Sequence, residues 1–286
     1  MYLAQKLKEE TALAEHFFEP YSLLMSVYSR EKAQFLRESV ESVFKQSVLP
    51  SEFVLVIDGP VGKELLSEIE NLRQRFGIKT FELKENVGLA KALNFGLSKC
   101  QNEIVARMDS DDIAARDRME KQLLLMQKTG ADIVSSAVIE FKESIKDADK
   151  QRIVPETHDE IIKFARRRNP FNHPAAVYKK SVIQSLGGYG DYEFFEDYEL
   201  FVRALSHGAK GANSSEPLVF MRAGAGMYKR RGGLSYVKKI NRFYKQMRAL
   251  GLCGIKETLC CQLPRALIAL VPTKIRQIVY QKFLRG

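Results

Sequence analysis

The chain has 286 residues, 45% hydrophobic and 28% charged, which excludes a disordered or collagenous polymer and allows a sizeable core. No run reaches the roughly 20 apolar residues of a membrane span, residues 1–20 lack the apolar stretch of a secretory signal, and four cysteines without CxxC pairing or disulfide density suit a reducing cytosol. The net charge of +10 is uneven: from Arg222 onward stand 15 Lys and Arg against one acid, Glu257, so that segment carries +14 and the rest −4, which points to an anionic partner such as a membrane surface, phosphate or nucleic acid.

In chain order, residues 1–20 are set apart as an N-terminal helical extension. Ser22–Ser29 reads as a buried strand, and Phe35, Leu36, Val40, Val43 and Phe44 then recur at helical spacing. Glu52–Asp58 is a second strand ending in Asp-Gly-Pro, a turn signal. Lys63–Phe76 is a helix and Ile78–Leu83 a short strand. Next come Asn86 and Gly88 in a turn, then a helix with Lys91 on its first turn. That helix N-terminus could face a phosphate or ribose, or be a plain turn and cap. Glu103–Asp109 is the fourth strand and Ala115–Lys128 its helix. Such strand–helix units predict an α/β, Rossmann-like fold with a mainly parallel sheet and helices on both faces. After about residue 135 the rhythm breaks, and a mixed second half is expected.

Ligands of such sheets sit beyond the carboxyl ends of the strands, where Asp58 and the trio Asp109, Asp111 and Asp112 fall. Bunched carboxylates repel one another and call for a cation. Oxygen ligands without His or Cys favour Mg²⁺ or Mn²⁺, whose shell substrate phosphates complete. The plainer reading is that Asp109, Asp112 or Asp117 caps the following helix. Further on, Gly187–Gly208 runs from a glycine-rich loop into Glu193, Glu196, Asp197 and Glu199, with Tyr198, Phe201, Val202 and Leu205 at helical spacing. Glu196 and Asp197 therefore open a helix, where the dipole favours negative charge and a carboxylate can take a proton from a hydroxyl; first-turn acidity alone is the alternative. His173, between two prolines before a strand, is a structural or a ligand-touching histidine.

Seven segments in this order, Ser26–Arg30, Val56–Pro60, Asn86–Gly96, Ala106–Asp112, Asn172–Ile183, Gly187–Tyr189 and Phe195–Gly208, resemble the family 2 inverting glycosyltransferases of the GT-A fold. The likeness covers roughly residues 21–250 and lies nearest to bacterial capsule and O-antigen enzymes. It implies that Ser26, Val27, Tyr28 and Asp58 hold the nucleotide base, usually uracil. It implies a DxD motif in which Asp111 ligates Mn²⁺ or Mg²⁺, Asp109 contacts the ribose or the metal shell, and Asp112 stands behind them. It makes Asp197 the catalytic base with Glu196 beside it, and makes Tyr228–Ser235, with Arg230 and Arg231, a segment closing over the diphosphate. The second strand ends Asp-Gly-Pro-Val-Gly-Lys-Glu where many relatives carry Asp-Asp-Gly-Ser-Thr-Asp, so the base and ribose contacts differ in detail.

The resemblance divides the chain into a nucleotide-binding half, about 21–135, an acceptor half, about 136–250, and a basic, helical tail, 251–286. The donor expected is a UDP-sugar, perhaps with galactose, and the acceptor a saccharide on a polyprenyl diphosphate. The tail mixes short apolar runs with Arg265, Lys274, Arg276, Lys282 and Arg285, which suits an anionic bilayer surface; peripheral attachment to the cytoplasmic face of the bacterial inner membrane is expected, a soluble cytoplasmic protein being the fallback. Three other classes compete. A phosphatase of the haloacid-dehalogenase type carries its DxD after the first strand of the core, not the fourth. A sugar nucleotidyltransferase carries a glycine-rich loop after its first strand. A nucleic-acid binder accounts for the tail and not for the acids, so no nucleic acid is expected.

Overall fold

The structure, a computed structural model, describes residues 18–223, 232–272 and 276. The N-terminal extension up to residue 17, Arg230 and Arg231, and the tail beyond residue 272 other than Arg276 lie outside the described residues.

Strand β1 (Tyr21–Tyr28) runs parallel to β2 (Glu52–Asp58) on one side and β4 (Ile104–Arg107) on the other, and β3 (Lys79–Glu82) extends the sheet beyond β2. Both faces of β1 and β2 are buried, so their sequences are apolar runs rather than alternations. Leu23, Met25 and Val27 point to the face covered by helices α1 (Ala33–Val43), α2 (Lys63–Phe76) and α4 (Arg118–Thr129). Leu24, Val54 and Val56 point to the opposite face, under α3 (Leu89–Lys99) and α7 (Glu196–Ser206). The expected helices on both faces are there, and α2 and β2 have the bounds read from the sequence.

The second half is mixed, as its broken rhythm implies. β8 (Val177–Lys179) inserts antiparallel between β4 and β6 (Ile133–Phe141), while β9 (Gly211–Arg222) runs parallel to β6. β7 (Lys150–Arg152) lies antiparallel on β6. Strands β1, β3 and β4 differ from their expected bounds by one or two residues at their ends, β4 stopping at Arg107 before Asp109, and one helix start differs for a tertiary reason. The helix read from Ala115 starts at Arg118, because Ile113–Ala114 form a two-residue strand, β5, antiparallel to Val219–Phe220 of β9. A partner more than 100 residues away takes those residues out of the helix.

Two smaller helices, α5 (His158–Ala165) and α6 (Lys180–Ser185), flank the second half. The chain then forms a helical hairpin, α8 (Leu234–Ala249) and α9 (Ile255–Leu270). α8 buries Tyr236, Ile240, Phe243, Tyr244 and Met247, one stripe at helical spacing. The Phe243 ring stacks on Phe195 and meets Tyr198, with centroids 4.7 Å away in each case. The hairpin is thereby braced against the start of α7.

Candidate active site

The carboxyl ends of β1, β2 and β4 share one edge of the sheet, because the three strands are parallel neighbours. At the end of β4 stands Arg107, 1% exposed. Its guanidinium forks onto Asp109, Nη1 donating to Oδ2 at 2.8 Å and Nη2 to Oδ1, so the charge of Asp109 is matched by a buried cation. The main chain of Arg107 is held by its own N–H on the Ala176 carbonyl (2.8 Å) and by Arg118 Nη2 on its carbonyl (2.7 Å). Arg107→Ala leaves the acids beside it without their cation and opens a void. It is expected to cost about 3 kcal/mol in urea denaturation.

Among the described residues Asp111 has no such ion pair. Its carboxyl is pushed up to about 7 by burial, then by the charges of Asp109 and Glu31. Glu31 reaches the loop from the other side, accepting from the Ser110 hydroxyl at 2.6 Å. Asp112 is buried and raised well above the usual carboxylate range, by burial and then by Asp109 and Asp111. Its Oδ1 accepts the Arg222 N–H at 2.8 Å, so it straps the loop to β9 and caps no helix. Asp117 stands at the N-cap of α4, also without a capping side-chain bond. Arg222 completes the strap. Its Nε donates to the Asp111 carbonyl (3.0 Å), its Nη2 to Glu38 (2.6 Å), and its guanidinium lies 3.8 Å from the Phe35 centroid and 4.5 Å from that of Phe141.

These residues fit a divalent ion at Asp111. Its carboxyl meets unbalanced negative charge, Asp112 Oδ2 is buried without a partner among the described residues, and all the donors are hard oxygens. Among the described residues no three His, Cys, Asp or Glu side chains form a ready cage, and Asp109 is already forked by Arg107. Asp111 is the stronger candidate of the two metal-ligand residues read from the sequence.

At the neighbouring strand ends, Tyr28 pairs in register with Asp58. Tyr28 is 37% exposed, Ser26 is half-buried, and Val27 points into the core, so of these three only Ser26 and Tyr28 offer accessible side chains. The Asp58 carboxylate holds the loop before α3. Oδ1 accepts the Val87 N–H (2.7 Å), and Oδ2 accepts the Gly88 N–H and Asn86 Nδ2 (3.1 Å each). The helix N-terminus at Gly88 therefore already has its anion, which favours the turn-and-cap reading of Asn86 and Gly88 over the phosphate one. A lone pair remains on Oδ1 for a further donor. Gly59 is required where it stands: with φ of +81°, an added Cβ would lie 2.5 Å from the Asn86 nitrogen. Lys91 is exposed on α3.

α7 begins at Glu196, as its sequence implies. Asp197 Oδ2 accepts Asn169 Nδ2 and its Oδ1 the Tyr198 N–H, both at 2.8 Å. Phe194, just before, holds φ at +70°, a region unfavourable to a bulky residue; its ring meets Tyr236 edge-on at 5.5 Å. The turn that aims Asp197 is thus braced by α8. Glu196 differs from its neighbour: its carboxyl is pushed up from 4.5 to about 7 by burial, then by Asp197, and its Oε2 is buried without a partner among the described residues. The other acids of the segment are ion-paired, Glu199 with Arg203 and Glu193 with Lys239. His173 is a core histidine, its Nε2 3.0 Å from the Tyr189 hydroxyl and its ring against Phe201, with burial and then Arg107 pushing it well below its ordinary value. Arg107 also acts on Glu196, so one buried cation faces both acid groups.

Glu196 predicts a pH dependence of stability. Between about pH 4.5 and 7 the folded chain keeps a proton that the unfolded chain releases, so stability falls as pH rises through that window. Glu196→Gln is expected to remove this loss and to melt a few degrees above the wild type near pH 8, with little difference near pH 4. Thermal melts at the two pH values measure it.

The site also contains residues that sequence reasoning passed over. Arg107 leaves a trace, a charged residue in a strand otherwise apolar. Glu31, Asn169 and Arg222 leave none, since each meets the site only through folding.

The sequence profile of Glycosyl transferase family 2 matches residues 22–187. Over 93% of its length the chain is 38% identical to the UDP-Gal:alpha-D-GlcNAc-diphosphoundecaprenol beta-1,3-galactosyltransferase of Escherichia coli, covering 96% of that protein. Over the same share it is 37% identical to the amylovoran biosynthesis glycosyltransferase AmsE of Erwinia amylovora, covering 100%. Among solved structures, S. aureus TarS 1-349 in complex with UDP-GlcNAc superposes with a TM-score of 0.67 at 16% identity, over 92% of this chain and 76% of that one. The mannosyltransferase PcManGT of Pyrobaculum calidifontis, in complex with GDP-Man and Mn²⁺, gives 0.63 at 14%, over 97% and 86%. At those identities the likeness is one of fold, the GT-A fold. The profile spans more than half of the chain and the two relatives run nearly its full length, so the protein belongs to glycosyl transferase family 2 and is a glycosyltransferase.

Proposed function

We infer that this glycosyltransferase moves a sugar from a UDP-sugar, UDP-galactose first among them, to a saccharide on a polyprenyl diphosphate during assembly of a bacterial surface polysaccharide, with Mn²⁺ or Mg²⁺ as cofactor. The observation that carries the reading is the split of the acids at the end of β4: Arg107 neutralises Asp109, while Asp111 has no ion pair among the described residues and is pushed up to about 7. The activity of the E. coli relative and the UDP-GlcNAc complex of TarS support the donor and the lipid-linked acceptor, and the Mn²⁺ complex of PcManGT supports the metal.

On this reading Asp58, Ser26 and Tyr28 meet the base, and Asp109, steadied by Arg107, meets the ribose or the metal shell. Asp111 would hold a divalent ion, which when bound would compensate the charge of the departing nucleoside diphosphate. Arg230 and Arg231 are assigned to the same diphosphate. Asp197, oriented by Asn169, takes the proton of the acceptor hydroxyl as that oxygen attacks the anomeric carbon from the side opposite the leaving group. One displacement inverts the configuration, with Glu196 beside it as a carboxyl that burial pushes up to about 7. Residues 21–135 form the donor half and 136–250 the acceptor half, and residues 251–286 hold the enzyme peripherally on the cytoplasmic face of the inner membrane.

The test is a panel of nucleotide sugars with Mn²⁺ or Mg²⁺ and a polyprenyl-diphosphate GlcNAc acceptor, scoring free nucleotide and product anomer. UDP-galactose is expected to give β-linked product only with metal. Turnover of a GDP- or dTDP-sugar alone, or full activity in chelator, would overturn the donor or the metal assignment.

A further inference from the structure

The outer face of the α8–α9 hairpin reverses the usual helix pattern. In α9 the large apolar side chains Ile255, Leu259, Leu263, Leu267 and Leu270 are between 46% and 69% exposed. They recur every three or four residues and so form one stripe. The buried side holds Thr258 and Ala269. The helix thus shows solvent its most apolar side. Sixteen residues span about 24 Å, and a contiguous apolar face of that length marks a covered surface rather than scattered exposed leucines. Leu234, 70% exposed at the start of α8, extends it, since the Gly233 N–H donates to the Ala269 carbonyl (2.8 Å) beside Leu270.

Charge says what covers it. α8 contains no acid and turns Lys238, Lys245 and Arg248 outward. Gln262 of α9 donates to Asn241 of α8 at 2.6 Å along an exposed seam, so the basic and apolar faces adjoin on one side of the hairpin. A second copy of this face would bring like charges together. A surface with anionic headgroups over hydrocarbon complements both stripes at once. The geometry points to a docking face for an anionic lipid bilayer, with α9 lying in the headgroup boundary and the cations of α8 on lipid phosphates. The opposite side of α8 carries Phe243, which packs on Phe195 and Tyr198 around Asp197, so the docked hairpin also braces the helix of the proposed base. The docking face names the residues behind the peripheral attachment in the proposed function and rests on that part of it; presenting a membrane-held acceptor to Asp197 is a separate step, read by turnover.

The test is flotation of the full-length protein with vesicles of phosphatidylethanolamine and phosphatidylglycerol, compared with vesicles of phosphatidylcholine alone. The wild type is expected to float with the anionic vesicles, less so as salt rises. The triple substitution Leu259→Ser, Leu263→Ser, Leu267→Ser is expected to lose about tenfold or more of this binding with the fold retained and the melt lowered by only a few degrees, as all three side chains are already about half exposed. It should keep nucleotide release with a short-chain soluble acceptor and lose transfer to a polyprenyl acceptor in vesicles. Equal flotation of the triple variant and the wild type, or no flotation of the wild type, overturns the proposal; so does a dimer in solution that the triple substitution splits, which would give the face to a second copy. Stripe-dependent flotation without turnover of any nucleotide sugar sinks the function reading and leaves the docking face standing.

Discussion

Asp197→Ala is expected to bind the nucleotide sugar as the wild type does and to transfer its sugar on the order of 10³-fold more slowly. The carboxylate is fixed by two donors at 2.8 Å, Asn169 Nδ2 and the Tyr198 N–H, which leave lone pairs on both oxygens for an acceptor hydroxyl. Its helix is packed behind it, so the loss should fall on kcat and not on donor affinity. Asp197→Asn sharpens the test, since it keeps shape and the Tyr198 contact while removing the site for the proton. Glu196→Gln is the control beside it. That carboxyl already holds its proton up to about pH 7, so the amide should transfer within a few-fold of the wild type at neutral pH. Normal transfer by Asp197→Ala, or a loss in Glu196→Gln as large as that in Asp197→Asn, would move the base to another residue.

Asp111→Ala should have the second large effect, a loss on the order of 10³ in metal-dependent kcat/KM, with an opposite effect on the metal-free fold. Without metal, Asp111 is buried beside Asp109 and Glu31, and Arg222 offsets them least of the charges acting on it, so its removal relieves repulsion and should leave the melting temperature equal or higher. With Mn²⁺ and UDP the order reverses: the wild type gains stability from a ligand that binds only the folded state, and the variant does not. Calorimetry with and without Mn²⁺ reads both. Asp109→Asn should behave differently, since it frees the buried Arg107 fork and should lower stability with or without metal. If Asp111→Ala and Asp109→Asn responded alike, the division of labour drawn from Arg107 would be wrong.

Some of this architecture is legible because its causes are local. The apolar runs of β1 and β2, the spacing in α2 and the first-turn acids of α7 each lie within one element, and the element forms where the pattern predicts. Other readings needed partners. Asp112 looks like a cap until Arg222, 110 residues on, donates to it. Gly88 looks like a phosphate site until Asp58, 30 residues back, takes its N–H. Arg230 and Arg231 fall outside the described residues, and their role stands on the family resemblance.

The order of residues by itself determined the α/β class, the parallel first half, the strand-end position of Asp58, Asp109 and Asp111, and the helix that Asp197 opens, because periodicity and chain direction are properties of short segments. Only the tertiary structure decided which acid is neutralised and which is not, that β8 and the tip of β9 close the sheet around the acidic loop, and that α9 turns its leucines outward. Charge balance and burial depend on groups brought together from distant parts of the chain, and no local pattern carries that information.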